Sequence, residues 1–267
     1  MTAPDSSASM HLEAYLDRIG YSGSLAPSAD TLAALQQAHL YTVPFENLDI
    51  GLGRRLSLAL PALYDKIVTR RRGGFCYELN GLFAWLLSSL GYGVTYLSAR
   101  VAEPGGAFGP EFDHLTLLVQ GAAGSPAGER WLADVGFGDS FMQPLRLGAG
   151  EQPQDQWVYG LDEQDDGWRL WRREAAGAVE LQYAFTLQPR EFAADFEAMC
   201  LWQQTAPESH FFQHRMATLP TSTGRITIFD GRWIVTEHGQ KREQAIDEAE
   251  FWRRARTDFG MPLAEAP

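Results

Sequence analysis

Cysteine is scarce. The 267 residues hold two, Cys76 and Cys200, too few for a disulfide framework, and a chain of this length buries enough surface to fold without staples. Cationic residues are also few: 22 Lys and Arg stand against 34 Asp and Glu, a formal net charge of -12. Such a surface repels nucleic acid unless a basic patch is local. The one basic run, Arg70, Arg71 and Arg72, is short and lacks interleaved aromatics, so nucleic acid is not an expected partner. Between Met1 and Met10 there is neither a basic start nor an apolar run, so no signal peptide is expected and the reducing cytoplasm is the expected compartment. The uncharged stretch from Leu79 to Ala99 is broken by Asn80, Ser88, Ser89 and Gly91-Tyr92-Gly93. It reads as a buried helix followed by a buried strand, not as a membrane span. There is no Cys-x-x-Cys or His-Glu-x-x-His. His210 and His214 are spaced for one helix face but lack a third ligand, so no metal is expected. Gly73-Gly74 is not followed by Gly-Lys-Ser/Thr, and no Gly-x-Gly-x-x-Gly follows a strand, which argues against nucleotide-loop chemistry.

What remains is an ordinary soluble composition, 45% hydrophobic and 21% charged, at a length suited to roughly two folding units or one large one. Residues 1–10 are small and polar and are expected to fray. Apolar spacing predicts a short helix from His11 to Gly20. A second is capped at Ser28, Ala29 or Asp30, with Leu32, Leu35 and His39 on one face and Pro44 after it. A third covers Leu60–Thr69 with Pro61 in its first turn. The stripe of Leu79, Leu82, Phe83, Leu86, Leu87 and Leu90 predicts a helix from Cys76 to Gly91. At Gly93 the pattern turns to short strands: 94–101, 115–120, 131–135, 156–159, 168–172 and 179–185, with a turn region over 121–130. Their spacing suggests a small antiparallel sheet or barrel. A hairpin around Asp230-Gly231 joins 226–229 to 232–237, and 248–259 should form a closing helix.

Cys76 stands at a helix start after two glycines and three arginines. Unpaired helix-terminal N–H groups and neighbouring cations both favour a thiolate. The alternative is a small buried hydrophobe on the Leu79/Phe83 face. Cys200, without basic or Gly-rich surroundings, is expected only to pack. His114, in Asp113-His114-Leu115-Thr116-Leu117, faces away from Leu115 and Leu117 on a strand, as a base or as a structural histidine. Asp134, in Trp131-Leu132-Ala133-Asp134-Val135-Gly136, needs a partner if buried or else forms a turn, and Asp139 competes for its role. A cysteine nucleophile needs a base, and the base needs an orienting acid. Cys76, His114 and Asp134 can supply all three, as one constellation among several in a chain with six histidines.

Arg72-Gly73-Gly74-Phe75-Cys76-Tyr77-Glu78-Leu79-Asn80 resembles the active-site segment of the arylamine N-acetyltransferases. Val43-Pro44-Phe45-Glu46-Asn47-Leu48 upstream, Asp113 to Val119, and Asp134-Val135-Gly136-Phe137-Gly138 match in order. Gln204 to Phe211 matches more loosely. The resemblance implies an α+β fold: a helical domain over 1–92 with a cysteine-protease-like Cys-His-Asp core, an antiparallel β-barrel domain over 93–200, and a small α/β lid over 201–267. It implies acetyl transfer from acetyl-CoA to aromatic amines or hydrazines by a ping-pong route. Cys76 would take the acetyl group, His114 would activate the thiol and Asp134 would orient the imidazole. Phe45, Phe137 and Gly138 would line the acceptor cleft, Phe112 and Thr205 would contact CoA, and Arg72 would pair with Glu46. CoA is polyanionic, so it must meet a local positive or N–H-rich surface. A monomer or homodimer is expected. A Cys-His-Asp hydrolase, an amide synthase with another acyl donor, and a non-catalytic binding module are the competing readings.

Overall fold

The computed structural model describes residues 10–121 and 128–263. The stretch expected to fray lies outside these residues except for Met10, as does most of the turn region expected over 121–130.

The chain begins helical. Helix α1 (Leu12–Arg18) ends before Gly20. Helix α2 (Ala29–Thr42) is capped by Ser28, whose hydroxyl accepts the Thr31 N–H at 3.1 Å, and it buries Leu32, Leu35 and His39 on one face. The two-residue strand β1 (Phe45–Glu46), helix α3 (Leu48–Gly51) and helix α4 (Leu60–Tyr64) follow. The single helix expected over 60–69 instead widens at Asp65–Thr69 into a π-turn. There the Ile67 carbonyl accepts Arg18 Nε and the Lys66 carbonyl accepts the Arg72 N–H, at 2.9 and 3.0 Å. Helix α5 (Cys76–Ser89) is buried along most of its length. The apolar stripe of the sequence faces the helices on one side and a sheet on the other.

That sheet is an antiparallel, barrel-like unit of eight strands. They are β2 (Gly93–Val101), β3 (His114–Gln120), β4 (Arg130–Ala133), β5 (Leu145–Arg146), β6 (Gln152–Gln154), β7 (Trp157–Gln164), β8 (Gly167–Glu174) and β9 (Glu180–Phe185), in the order β5-β4-β3-β2-β9-β8-β7-β6. Strand β3 is buried on both faces. Leu115, Leu117 and Val119 join the helical core, while Leu118 joins the barrel core with Leu97, Leu132 and Leu170. The alternation expected at His114 is therefore present, but neither face is wet.

Helices α6 (Glu197–Thr205) and α7 (His210–Gln213) lead to β10 (Met216–Thr221), β11 (Gly224–Phe229), β12 (Arg232–Glu237), β13 (Gln240–Ala245) and α8 (Glu248–Thr257). The second sheet has the order β1-β10-β11-β12-β13, so β1 reaches across to pair Phe45 with Thr218. Phe251, Trp252 and Ala255 of α8 close a third core against this sheet. The hairpin forms at Asp230-Gly231 as expected. The architecture is α+β. Among the described residues no helix is long and apolar enough to cross a membrane.

Beneath the α5 start lies a cluster of buried charges. Arg72 donates to Glu46 Oε1 at 2.8 and 3.1 Å and to Asp49 Oδ1 at 3.1 Å. Lys66 donates to Glu78 at 2.8 and 3.0 Å and meets Asp49 at 3.1 Å. The expected Arg72–Glu46 pair is thus part of a five-residue cluster. Burial alone would strip the proton from Lys66, but Glu78, Glu46 and Asp49 outweigh it and hold that proton tightly. Arg18 adds a buried cation, its guanidinium bonded to the Thr42, Ile67 and Arg72 carbonyls at 2.8, 2.9 and 3.2 Å. Burial brings its pKa down to about 10.

Removing one member leaves the others as uncompensated buried charge. Arg72→Met is therefore expected to lose about 3–5 kcal/mol of stability in urea unfolding. Arg72→Lys should fall between, because an ammonium lacks the planar fork that grips two carboxylates. Glu46→Gln combined with Arg72→Met should cost less than the two separately, and additive costs would reject the coupling.

Candidate active site

The segment before Cys76 is shaped by close approach. Gly73 lies so near β1 that a Cβ there would stand 2.0 Å from the Pro44 carbonyl oxygen, and the Gly74 carbonyl accepts the Glu46 N–H at 2.8 Å. Glu78 reaches back to accept the Phe75 N–H at 3.2 Å. Cys76 is thereby the first residue of α5, where backbone N–H groups have no partner within the helix.

The electrostatics differ from the sequence expectation. Two of the three arginines are engaged elsewhere: Arg70 pairs with Asp65 at 2.7 Å, and Arg72 with Glu46 and Asp49. Cys76 is 3% exposed. Burial pushes its thiol well up, a backbone hydrogen bond from Leu115 opposes this, and the carboxylates of Asp113 and Asp134 add to the rise. Cationic neighbours therefore do not prepare a thiolate here.

His114 opens β3, and its Nε2 lies 2.7 Å from Asp134 Oδ2. Tyr183 donates its hydroxyl to the same oxygen at 3.0 Å. The other oxygen, Oδ1, accepts Asn80 Nδ2 at 2.8 Å and the Gly136 N–H at 2.9 Å. Burial alone would raise the Asp134 pKa, but the charge of His114 and these hydrogen bonds outweigh it, so the carboxyl is held below its ordinary value. An ionised carboxylate only accepts, so His114 Nε2 carries the proton of that bond and Nδ1 is left for another partner. Asp139, the competitor, is 58% exposed and pairs with Arg225 and Arg172 at 2.9 and 3.5 Å.

Two close contacts bring the cysteine to this pair. Leu115, next to His114, hydrogen-bonds the Cys76 thiol through its backbone. The loop after β4 lies on Cys76: a Cβ on Gly136 would stand 2.7 Å from Cys76 Cα, so only glycine fits. Phe137 and Gly138 continue this loop. The Phe137 ring packs 5.2 Å from His114 and 5.2 Å from Tyr183, and Gly138 lies under the Phe45 ring. Phe45 in turn meets Phe211 of α7 at 6.0 Å. Phe45, Phe137 and Gly138 therefore border the site. Phe112 stands on the other flank, in a left-handed conformation with φ 67; its carbonyl accepts the Tyr77 hydroxyl at 2.6 Å and its ring lies beneath Arg190. Thr205 is not brought to the triad: it is exposed, and its hydroxyl is turned back to the Leu201 carbonyl of α6.

Three residues escaped the sequence reading. Asn80 joins α5 to both strands: Nδ2 donates to the Leu115 carbonyl at 2.6 Å as well as to Asp134, and Oδ1 accepts the Val135 N–H at 2.9 Å. Its signal was available, an amide one helical turn after the cysteine on an apolar helix. Gln36 of α2 accepts the Asp134 N–H at 3.1 Å. Tyr183 looks like any barrel aromatic in sequence, and nothing local marked it. Cys200 is buried, as expected for packing, and burial pushes its thiol up to about 12. His210 and His214 do come together, with rings 4.8 Å apart, and His214 bonds Asp230 at 2.8 Å. Beyond the loop after β4 a cleft of about 480 Å³ opens between the barrel and the second sheet, lined among others by Tyr41, Asp139, Trp157, Tyr159 and Arg225.

Similarity to known proteins agrees with this geometry. A family model described as N-acetyltransferase matches residues 28–266. The chicken (Gallus gallus) arylamine N-acetyltransferase, pineal gland isozyme NAT-10, is 34% identical over 91% of this chain and 88% of its own length. The solved arylamine N-acetyltransferase of M. tuberculosis superposes with a TM-score of 0.87 at 34% identity, covering 96% of this chain and 94% of that one. The Mycobacterium marinum arylamine N-acetyltransferase, solved in complex with CoA, superposes with a TM-score of 0.84 at 32% identity over 94% and 93% of the two chains. A cysteine, an imidazole and a shielded carboxylate on this fold, with similarity along nearly the whole length, place the chain in the arylamine N-acetyltransferase family, as an acyltransferase.

Proposed function

We propose that the enzyme transfers an acetyl group from acetyl-CoA to an aromatic amine or hydrazine through an acetyl-Cys76 intermediate. The observation that carries this reading is the buried His114–Asp134 pair set against a cysteine at a helix start. CoA as donor is supported by the family and by the CoA complex of the M. marinum relative.

In the first half-reaction the Cys76 thiol passes its proton to His114 Nδ1. The imidazolium that forms faces Asp134, which is already ionised and held by four donors. The thiolate attacks the thioester carbonyl, and the oxyanion meets backbone N–H at the α5 start. The carbon–sulfur bond to CoA breaks, and His114 returns the proton to the leaving thiolate. In the second half-reaction the amine attacks the acetyl-cysteine carbonyl while His114 accepts a proton from it. The Cys76–acetyl bond breaks, the amide leaves, and His114 returns that proton to the Cys76 thiolate, restoring the starting thiol. Aromatic amines are largely uncharged at neutral pH, which suits walls built from Phe45 and Phe137. Exclusion of water by those walls favours transfer over hydrolysis.

Phe112, held beside His114 by Tyr77 and Arg190, is proposed as a donor-side contact. Thr205 is not, its hydroxyl being engaged within α6. A division into a helical unit, a barrel unit from about residue 93, and a last unit with the second sheet fits the three cores. Its last boundary is better drawn before Glu197 than at 200/201, because α6 runs across that point. All three catalytic side chains come from one chain, which supports a monomer or a homodimer of independent sites. Two free cysteines support a reducing compartment, the cytoplasm.

Mixing the enzyme with acetyl-CoA should leave one acetyl group, placed on Cys76 by peptide mass spectrometry. Cys200→Ala should still take it and Cys76→Ala should not; acetylation persisting in Cys76→Ala would overturn the covalent route.

Because burial raises the thiol, its ionisation depends on His114. Wild-type alkylation by iodoacetamide should therefore proceed below the free-thiol value of about 8.5, and His114→Gln should react only above it. Identical pH profiles would reject proton transfer within the pair.

Asp134→Asn keeps volume and removes charge, and its amide can lock the wrong imidazole tautomer. Single-turnover acetylation should slow by roughly three to four orders of magnitude. The depressed carboxyl also stabilises the fold, fully above its unfolded pKa of about 3.9, with loss as pH falls through the lower folded value. The variant's stability should accordingly fall less steeply in acid. Asp139→Asn should acetylate normally; the reverse pattern would reassign the third residue.

A further inference from the structure

We infer that Arg225 of β11 is a positioning residue for the acceptor side of the site: it clamps Gly138 and Asp139, and so fixes where Phe137 and Gly138 stand. This rests on the transfer reading given above. The guanidinium, 18% exposed, reaches from the second sheet to the loop after β4. Its Nη1 donates to the Gly138 carbonyl and, at 3.1 Å, to Thr218 Oγ1. Its Nη2 meets Asp139 Oδ1 at 2.9 Å. Arg172 of β8 holds the same residue from the barrel, with Nη1 3.3 Å from the Asp139 carbonyl oxygen.

The loop is consequently tied at both ends by different parts of the fold. At its start Asp134 is fixed by Asn80, His114, Tyr183 and the Gly136 N–H. At its end two arginines from two sheets hold residues 138 and 139. Phe137 stands between these ties, against His114 on one side, and Gly138 lies against Phe45. The bonds of Arg225 go to a carbonyl, a threonine and an exposed carboxylate, and to none of the Cys76, His114 or Asp134 side chains. Burying a guanidinium is costly unless its donors are used, and the fork geometry uses them on two successive residues of this loop. A lysine can supply only part of that grip.

The two ends of the loop have separable consequences. The His114–Asp134 pair does not depend on Arg225 for any of its hydrogen bonds, so Cys76 can still be acetylated when the clamp is lost. The placement of Phe137 and Gly138 does depend on it. A loosened wall admits water and misplaces the amine, so the acetyl-cysteine should hydrolyse where it formerly transferred.

The test measures the fate of the acetyl-enzyme, formed with p-nitrophenyl acetate so that no nucleotide site is involved. The ratio of acetylated 4-methoxyaniline to free acetate is read for wild type, Arg225→Ala, Arg225→Lys and Asp139→Asn. This ratio is counted per acetyl-enzyme, so it is indifferent to the fraction of a sample that is folded, and Arg225→Lys carries the test if Arg225→Ala does not fold. In Arg225→Ala the burst of p-nitrophenol should stay within about twofold of wild type while the ratio falls about tenfold or more. Arg225→Lys should fall between, and Asp139→Asn should stay near wild type because the Gly138 carbonyl is still held. An unchanged ratio in both Arg225 variants overturns the inference. So does a fall in Asp139→Asn as large as in Arg225→Ala, which would assign the effect to charge. A wild type that forms no acetyl-cysteine overturns the transfer reading and this inference with it; a wild type that transfers while both Arg225 variants match it overturns this inference alone.

Discussion

A carboxylate out of reach of water has to be met by donors from the protein, and Asp134 is where that demand ties the molecule together. Its four donors come from the start of β3, from α5, from β9 and from its own loop. Its backbone N–H is held by Gln36 from α2. No two of these elements are neighbours along the chain except through the barrel strands. Their relative placement is therefore fixed by one buried negative charge, and the imidazole is oriented as a by-product of satisfying it. An isolated charge at this depth would instead take up a proton. The network keeps Asp134 ionised, so its bond with His114 uses the Nε2 proton and leaves Nδ1 as the free acceptor nitrogen.

The same logic operates on the other side of Cys76. The loop from Arg70 to Phe75 has no regular structure to occupy its polar groups, and it runs under the helix start. Arg18 takes the Arg72 carbonyl, Arg72 and Lys66 take three carboxylates, and Glu78 takes the Phe75 N–H. Three acidic and three basic side chains are involved, so the buried assembly carries no formal excess charge. Replacing such a cluster by apolar residues need not destabilise a protein. What the charges supply here is a single allowed geometry for the turn that presents the cysteine.

The legible and the illegible parts of this protein divide along physical lines. The α5 stripe, the capped α2 and the Asp230-Gly231 hairpin are written in local periodicity and turn chemistry, and the structure has them where the sequence indicates. Strand β13 reads Gln240-Lys241-Arg242-Glu243-Gln244-Ala245 and is exposed throughout. It forms because β12 offers it a partner edge, and no apolar alternation announces it. Strand β10 contains Pro220, which locally argues against a strand. In the site, Cys76, His114 and Asp134 could be named as candidates from residue type and setting, but only the resemblance carried by Arg72 to Asn80 and the two later segments selected them from the other combinations. Asn80, Tyr183 and Gln36 were not singled out because their roles exist only through contacts between residues 49 to 98 positions apart. The error about the arginines has the same origin. Adjacency in sequence suggested that the basic run favours a Cys76 thiolate, but Arg72 is spent on Glu46, the pairing the resemblance implied, and on Asp49.

That misplacement alters the account of the nucleophile. With no cation to prepare it, a buried thiol favours the protonated form, and burial does raise Cys76. The proposed move of its proton to His114, however, creates no net charge: it makes a short dipole next to a carboxylate that is already present. The desolvation penalty that opposes a lone thiolate is then largely offset within the pair, while water, which would compete for the acetyl-enzyme, stays outside. A surface cysteine activated by arginines would ionise more easily, yet its thioester would stand in solvent. Burial is thus not an obstacle that the site tolerates. In the proposed mechanism it makes the thiol dependent on His114 for its charge, and it leaves the amine, an uncharged and largely apolar nucleophile, as the species best able to enter and collect the acetyl group.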